Sequence, residues 1–410
     1  MDYSQLADKF VNLKYSGDVL FLLIGAILVF SMHAGFAFLE VGSVRKKNQV
    51  NALVKIITDW GISTIMYFLI GFPIAYGISF IKPAAQLLGS DHGFNLIHFF
   101  FLLTFAACIP AIISGGIAER AKFWTQSFAG GILVGFVYPF FESLVWGKNI
   151  FLGQAGSWLA NFAGAPFHDY AGSIVVHSMG GWLALPAIII LGPRLKRYVN
   201  GRNQIIKVSN IPFLALGSWL LCVGWFGFNV MSAGKLTNIS ALVAINSLMA
   251  MVGGIVVAMI ISKNDAAFIH NGALAGLIAI CSGSDVVHPL GALIIGGVAA
   301  FIFVNLFHIE TEILKIDDVL GVWPLHGVAG SWGGIACGIF GAKALGGMGG
   351  VSLTAQLIGT GLAIVIALLA STIIYSFSKA IFGIRLSEHE EIIGADLSVH
   401  NIEAYPEEAL

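Results

Sequence analysis

Long apolar runs constrain this chain more than any other feature of its sequence. Stretches such as 19–41, 129–146, 239–261 and 356–377 are each close to the roughly 20 residues that a helix needs to cross a bilayer. Only 10% of the residues are charged, against about 25% in ordinary soluble domains. The sequence therefore predicts an all-α integral membrane protein.

The apolar runs predict eleven spans, and the charges between them predict an orientation. The spans are roughly 19–41, 52–77, 97–117, 124–146, 171–192, 211–233, 239–261, 268–283, 289–307, 324–341 and 353–378. Lysine and arginine are concentrated after the odd-numbered spans, as at Arg45, Arg120 and Arg194. Because positive loops stay cytoplasmic, we expect a multi-pass protein of the cell (inner or plasma) membrane with its N-terminus outside and its C-terminus inside. Residues 1–18 lack the features of a cleaved signal peptide.

The polar C-terminus separates from the membrane domain by composition. Residues 1–382 are expected to form the membrane domain, and residues 383–410 a cytoplasmic tail rich in glutamate. Two interpretations of the tail are open. It is either a solvated acidic segment or a regulatory segment that packs under the cytoplasmic face.

Two short patterns recur at an offset of five spans, which indicates an internal repeat. One is a Gly-Phe pair with a second glycine seven residues after the first, and the other is a histidine with a glycine four residues later (Gly35 and Gly42, Gly227 and Gly234; His177 and Gly181, His326 and Gly330). An odd offset reverses the direction of the chain, so the sequence predicts an inverted five-helix repeat over 19–192 and 211–341, followed by an eleventh helix. Such repeats place a binding pathway near the midplane between the halves.

Ionisable residues inside membrane spans are costly and usually face a partner or a cavity. A single buried histidine is commonly a packing group, but His177 and His326 occupy matched positions. They are predicted to share a hydrogen bond along a narrow apolar lumen, where imidazole can also relay protons. Asp169 precedes His177 by eight residues. It is interpreted as a helix cap, as a carboxylate that stabilises a cation near the outer mouth, or as both.

Several aromatic residues have both an ordinary and a functional interpretation. Trp146 ends a span and is either an interfacial anchor or a cation–π platform. Phe101 and Phe105 lie one turn apart, and each of them, like Phe228, would alone be a core residue. Glu40 is interpreted as a buried packing carboxylate near the cytoplasmic end of the first span.

Other function classes find little support in the sequence. The net charge of −1 gives no footprint for nucleic acid. The four cysteines are scattered singly in apolar segments, and we find no metal-ligand cluster, nucleophile elbow or phosphate loop. We therefore expect neither an enzyme nor a bound metal or cofactor.

The motifs together resemble the ammonium transporter family (Amt/Mep/Rh), on its bacterial and plant Amt side. The resemblance spans nearly the whole chain, including the tail from Gly383 to Asp396. It is carried by AGFAFLEVGSVRKKN (34–48), FAACIPAIISGGIAERAKF (105–123), DYAGSIVVH (169–177), GWFGFN (224–229), NGALAG (271–276) and DDVLGVWPLHGVAGSWGGIACGIF (317–340). The two histidine motifs in order are its most specific part.

The resemblance implies a homotrimer with one conduction path in each subunit, and a role for each candidate residue. His177 and His326 look like the family's twin histidines, Phe105 and Phe228 like the stacked phenylalanines that close the outer mouth, and Asp169 like the family's aspartate below the external recruitment site. The external ammonium recruitment site would comprise Trp146, Phe105 and Ser232, with Phe101 at its rim. Two departures are Val230-Met231 before Ser232, which would make the vestibule bulkier, and Pro110, which would kink the third span.

The implied activity is recruitment of ammonium outside and passage of ammonia through the twin-histidine pore, with the proton crossing by a separate route. Ammonium or methylammonium would be the substrate. The alternative is an ammonium sensor on the same fold, since some relatives carry signalling domains after the tail. A trimeric PII-type signalling protein is the family's usual cytoplasmic partner, and it would dock on the loop Arg194–Lys207 and the tail.

Overall fold

The computed structural model describes residues 3–89, 91, 93–149, 153–154 and 157–406. Eleven helical segments build the bundle: α1 (Tyr3–Ser43), α2 (Lys46–Tyr76), α3 (Phe94–Ile117), α4 (Phe123–Val145), α5 (Ser173–Leu191), α6 (Ile211–Ala233), α7 (Ile239–Ile261), α8 (Ala266–Ile280), α9 (Pro289–Ile313), α10 (Trp323–Val328 continued by Ala329–Phe340) and α11 (Leu353–Phe382). Over these described ranges, nine helices are long and apolar enough to cross a membrane, all except α8 and α10. The exact count of eleven spans stays a prediction.

The remaining elements are short. Two hairpins pair β1 (Lys148–Asn149) with β2 (Gly153–Gln154) and β3 (Tyr198–Val199) with β4 (Arg202–Asn203). The loops also contain a helix and two 3₁₀ turns (Ser157–Ala163; Ala84–Gln86 and Lys343–Leu345). The tail contributes α12 (Glu388–Ile393) and α13 (Ala395–His400).

The first helix is longer than the apolar pattern predicts. It begins at Tyr3, whereas the predicted span begins at residue 19. Residues 3–18 contain several polar side chains, which hide the segment from a hydropathy criterion, but no proline and only one glycine, Gly17. Because helix propensity depends on backbone freedom rather than on hydropathy, the helix continues through this polar stretch.

A proline interrupts α3 at the place the sequence suggests. The helix runs over Phe94–Ala106, breaks at Ala107 and resumes at Cys108. Pro110 lacks an amide hydrogen, and its ring clashes with the carbonyl group four residues earlier, which belongs to Ala106. The interruption lies two residues after Phe105.

Two helix pairs cross at very short distance, and glycines make this possible. A Cβ atom built at Gly217 of α6 would lie 2.2 Å from the backbone nitrogen of Leu39 in α1. One built at Gly181 of α5 would lie 2.0 Å from the backbone nitrogen of Gly327 in α10. The helices in contact, α1 with α6 and α5 with α10, are the ones that the sequence repeat matches. Such contacts are what a two-fold axis between repeats would produce.

The tail packs against the end of the bundle where α2 begins, which we call the tail side. The backbone nitrogen of Lys122 donates to the carbonyl oxygen of Ile384 at 2.9 Å. The Asp396 carboxylate accepts from the backbone amides of Val50 and Asn51 at 3.0 and 2.8 Å. Negative charge is favourable there, because unpaired amides collect in the first turn of a helix. The tail is therefore packed rather than freely solvated.

Candidate functional site

A cavity of about 330 Å³ opens at the end of the bundle opposite the tail; we call it the vestibule. All four residues predicted for recruitment line it: Phe101, Phe105, Trp146 and Ser232. The Phe105 and Trp146 rings meet edge to face, with centroids 5.9 Å apart. Ser232 Oγ donates to the carbonyl oxygen of Phe228 at 2.7 Å, so its lone pairs remain free to accept from a ligand.

Sequence reasoning missed part of the vestibule wall. Tyr76, His98 and Tyr170 also line the cavity. The Tyr76 hydroxyl donates to Glu142 Oε1 at 3.1 Å, and Tyr67 donates to the same carboxylate at 2.9 Å. Glu142 is fully buried. Tyr76, His98 and Glu142 lie in no local motif and come together only through the packing of α2, α3 and α4. Tyr170 lies in the motif 169–177, directly after Asp169.

Two phenylalanine rings separate the vestibule from the interior. Phe105 and Phe228 stack with centroids 3.8 Å apart and an angle of 12° between planes. Both side chains are buried, with exposures of 1% and 0%. The structure thus brings together the two residues predicted as a gate, and in this arrangement their rings block the path from the vestibule.

The two histidines meet directly beneath the stacked rings. The His177 ring lies 5.3 Å from Phe228 between centroids, and its Nδ1 is 3.3 Å from Nδ1 of His326. Both imidazoles are buried. Since a neutral imidazole carries one donor and one acceptor nitrogen, one ring can donate its Nδ1 hydrogen to the other. The predicted pairing is therefore present in the geometry.

Both histidines lie on π-helical turns. His177 belongs to Ser173–Ser178, which opens α5, and His326 to Trp323–Val328, which opens α10. π turns widen the helix locally and recur at functional sites. The sequence predicts helices here but not this winding, because a hydrophobic pattern over six residues cannot distinguish π from α geometry.

Asp169 holds the start of the first of these turns. Its carboxylate accepts backbone hydrogen bonds from Gly172, Ile174 and Val175 at 3.1, 2.9 and 2.8 Å, and one from Ser282 Oγ at 2.5 Å. Its own carbonyl oxygen accepts from Trp146 Nε1 at 2.6 Å. These four protein donors satisfy the carboxylate, so its contacts are those of a helix cap. Any effect of Asp169 on a cation would act through its charge, without direct contact.

A matching carboxylate, Asp318, precedes the second turn. It stands eight residues before His326, as Asp169 does before His177, and its Oδ2 accepts from the backbone nitrogen of Trp323 at 2.8 Å. Burial raises the pKa of Asp318 to about 6. Because the spacing is the same before both histidines, the sequence alone could have identified Asp318 as a counterpart of Asp169.

A buried network of charges surrounds the adjoining loop. Asp317 pairs with Arg194 at 2.8 Å and with Arg197 at 3.0 Å. Burial by itself would raise the pKa of Asp317, but the Arg194 guanidinium holds it well below its usual range. This network fixes the loop before α10, and with it the position of Asp318.

Nothing in the described ranges forms a group of three or more His, Cys, Asp or Glu side chains that could hold a metal ion. The polar groups of the path include the paired imidazoles of His177 and His326, the Ser232 hydroxyl and the vestibule residues Tyr76, His98 and Tyr170, and aromatic faces lie beside them. These groups suit a small cation that donates hydrogen bonds, or its neutral conjugate base.

Membrane-crossing helices around a narrow path with buried imidazoles define a multi-pass membrane protein of the channel and transporter class. Residues 20–405 match the model of the Ammonium Transporter Family. The chain belongs to that family, as the sequence motifs predict.

Two relatives and two solved structures illustrate the likeness. The chain is 42% identical to ammonium transporter Amt2 of Methanocaldococcus jannaschii, covering 100% of this chain and 96% of that protein. Amt1 of the same organism is 38% identical, with coverages of 95% and 97%. A solved "Sensor Amt Protein" superposes with a TM-score of 0.85 at 29% identity, covering 95% and 99% of the two chains. Mep2 of Candida albicans, at 23% identity, a TM-score of 0.78 and coverages of 92% and 87%, shares the fold.

Proposed function

We propose that this protein is an ammonium transporter that binds NH₄⁺ in the vestibule and passes NH₃ along the imidazole pair. One observation carries the proposal: the vestibule, the stacked phenylalanines and the two histidines follow one another without a gap. Ring centroids are separated by 3.8 Å from Phe105 to Phe228, 5.3 Å from Phe228 to His177 and 5.4 Å from His177 to His326.

The vestibule would recruit the cation. Phe101, Phe105 and Trp146 offer aromatic surfaces, and a cation over such a ring gains about 0.5–2 kcal/mol. The Ser232 hydroxyl oxygen can accept a hydrogen bond from ammonium. Potassium has a similar size and charge, but it cannot donate that bond.

The interior would discriminate by deprotonation. Carrying a bare cation between buried apolar side chains costs on the order of several kcal/mol in lost hydration. Ammonium avoids most of this cost by leaving its proton near the gate, and neutral ammonia then passes beneath Phe105 and Phe228. Potassium has no such route, so the path would exclude it.

The imidazoles would serve two purposes. Neutral rings offer ammonia both a donor and an acceptor along an otherwise apolar lumen. An imidazole can also accept a proton on one nitrogen and release one from the other, so the pair can relay the proton by a route that includes Asp169, His177 and His326. The negative charge of Asp169 would attract a cation to the vestibule, and this attraction would also promote the entry of ammonium.

The proposal includes the surroundings of the molecule. The chain would form a homotrimer in the inner or plasma membrane, with the vestibule and N-terminus outside and the tail in the cytoplasm. A PII-type signalling protein would dock on the tail side, at the loop Arg194–Lys207 and the tail. The packing of α12 and α13 against this face supports a shared cytoplasmic surface.

Ammonium-evoked current on a solid-supported membrane tests transport directly. Proteoliposomes of the full chain should give a transient current on an ammonium step and none on an equal potassium step, with protein-free liposomes as the blank. Amt2 and Amt1 of Methanocaldococcus jannaschii are both named ammonium transporters, which favours transport over sensing. Saturable ammonium binding without current would instead support the sensor.

A further inference from the structure

A small cavity continues the path on the tail side of the imidazole pair. Its volume is about 20 Å³, and its polar lining comes from His326, Glu40 and Asn271. The remaining lining is apolar. A water molecule needs roughly 10–15 Å³ of such space, so the cavity fits one water.

Glu40 enters this cavity as half of a buried ion pair. Its Oε1 lies 3.0 Å from Lys55 Nζ, and both side chains are only 2% exposed. Its Oε2 accepts from Ser114 Oγ at 2.5 Å. Replacing a buried ion pair by apolar residues is often neutral or stabilising, so packing alone gives little reason for two charges here. Intramembrane carboxylates commonly face a cavity used for ion or proton transfer.

Asn271 supplies a second, independent observation. Its Nδ2 donates to the carbonyl oxygen of Ala267 at 2.9 Å, whereas its buried Oδ1 finds no hydrogen-bond donor in the described part of the chain. Buried acceptors are normally satisfied by protein or by ordered water. A water that donates to Asn271 can accept from Nε2 of His326, because Nδ1 of that ring faces His177. Its second hydrogen is then available to Glu40.

We propose that Glu40 accepts the proton that leaves the imidazole pair on the tail side, an inference that rests on the proposed transport of ammonium. The N–H bond of protonated His326 breaks as an O–H bond forms on the water, and the water passes a proton to the Glu40 carboxylate. Ammonia that arrives in the cavity takes this proton, so ammonium forms again and the carboxylate returns to its charged state. Lys55 lies 3.0 Å from this carboxylate as its counter-ion, and the hydrogen bond from Ser114 fixes the orientation of the carboxylate.

The test compares charge movement with ammonia movement. Glu40→Gln preserves shape and the acceptor for Ser114 but removes the proton-accepting oxygen. In proteoliposomes, we expect its ammonium-evoked current to fall at least tenfold, while the internal alkalinisation that ammonia entry causes, read by an entrapped pH dye, stays within about threefold of wild type. A purely structural role for Glu40 would reduce both signals together.

Two further variants separate chemistry from folding. Glu40→Gln combined with Lys55→Met leaves no unpaired lysine charge, and it should fold while the current stays low. Asp59→Asn also removes a buried carboxylate, one that accepts from Ser127 at 2.9 Å and does not line the cavity, and its current should match wild type.

The outcomes distinguish this inference from the proposed function. Absence of current in the wild type overturns transport itself. Two results would overturn the role of Glu40 while transport itself stands. One is a Glu40→Gln current within twofold of the wild-type current. The other is an equal loss of current and alkalinisation in the folded double variant.

Discussion

Asp169 links the vestibule to the imidazole pair through its own atoms. Its carbonyl oxygen holds the Trp146 indole, and its carboxylate holds the first turn of α5, on which His177 lies. The vestibule wall and the position of His177 therefore both depend on one residue. The carboxylate is buried, so an uncharged replacement leaves amide groups without partners.

Replacing Asp169 by alanine should destabilise the protein strongly. Hydrogen bonds to a charged group contribute about 1.5–3 kcal/mol each, and this carboxylate accepts four. We expect the thermal unfolding midpoint in detergent to fall clearly further than for Asp265→Ala, where an exposed N-cap loses one bond to Phe268 worth about 1 kcal/mol. Equal midpoints for the two variants would contradict this role.

Single residues also show what the sequence could and could not predict. The roles of His177 and His326 were suggested by their matched positions, and the structure places the two rings in contact. Asp318 could have been found by its spacing but was missed. Tyr76 lies in no motif, and Asn271 opens the motif 271–276 without any sign of the cavity that it lines, because the surroundings of both residues arise from helices distant in sequence.

At the scale of helices, apolar runs predict location well and winding poorly. The eleven predicted segments are all helical, because a long apolar run leaves the backbone no other way to satisfy its hydrogen bonds in lipid. The ends of the helices were less predictable. The polar start of α1, which begins at Tyr3, was missed because hydropathy does not report helix propensity. The π turns depend on tertiary contacts around the histidines, so no local sequence pattern predicts them.

The α5–α10 crossing gives a prediction for a single methyl group. Gly181→Ala would place Cβ 2.0 Å from the backbone nitrogen of Gly327, so the helices must separate and the His177–His326 contact must lengthen. We expect loss of ammonium current and a lower thermal midpoint. Gly61→Ala is the matched variant, since nothing lies within 4 Å of its Cβ and alanine favours a helix interior. A Gly181→Ala protein with wild-type current and midpoint would refute the packing argument.

In the molecule as a whole, the tail contacts segments that are far apart in the sequence. The Glu391 carboxylate accepts from the backbone nitrogen of Leu195 at 2.6 Å and pairs with Arg385 at 2.7 Å. Lys47 Nζ donates to the carbonyl oxygen of Glu391 at 2.7 Å. The tail therefore joins the start of α2 to the loop after α5.

Removing the Asp396 contact should loosen the tail. Asp396→Ala leaves the amides of Val50 and Asn51 without their acceptor, and we expect hydrogen exchange over residues 386–400 to become several-fold faster than in wild type. Glu403→Ala changes an exposed acidic residue of the same tail and should leave the exchange unchanged. If the tail exchanges equally fast in all three proteins, the Asp396 contact does not hold it.

In the proposed function, the imidazole pair separates ammonium from potassium. The direct measurement is the current evoked by equal steps of each cation in proteoliposomes of wild type, His177→Ala, His326→Ala and His308→Ala, the last being an exposed histidine on α9. We expect ammonium current without potassium current in wild type and His308→Ala. We expect each pore variant either to lose the ammonium current or to admit potassium. Wild-type ammonium current with potassium still excluded in both pore variants would contradict it.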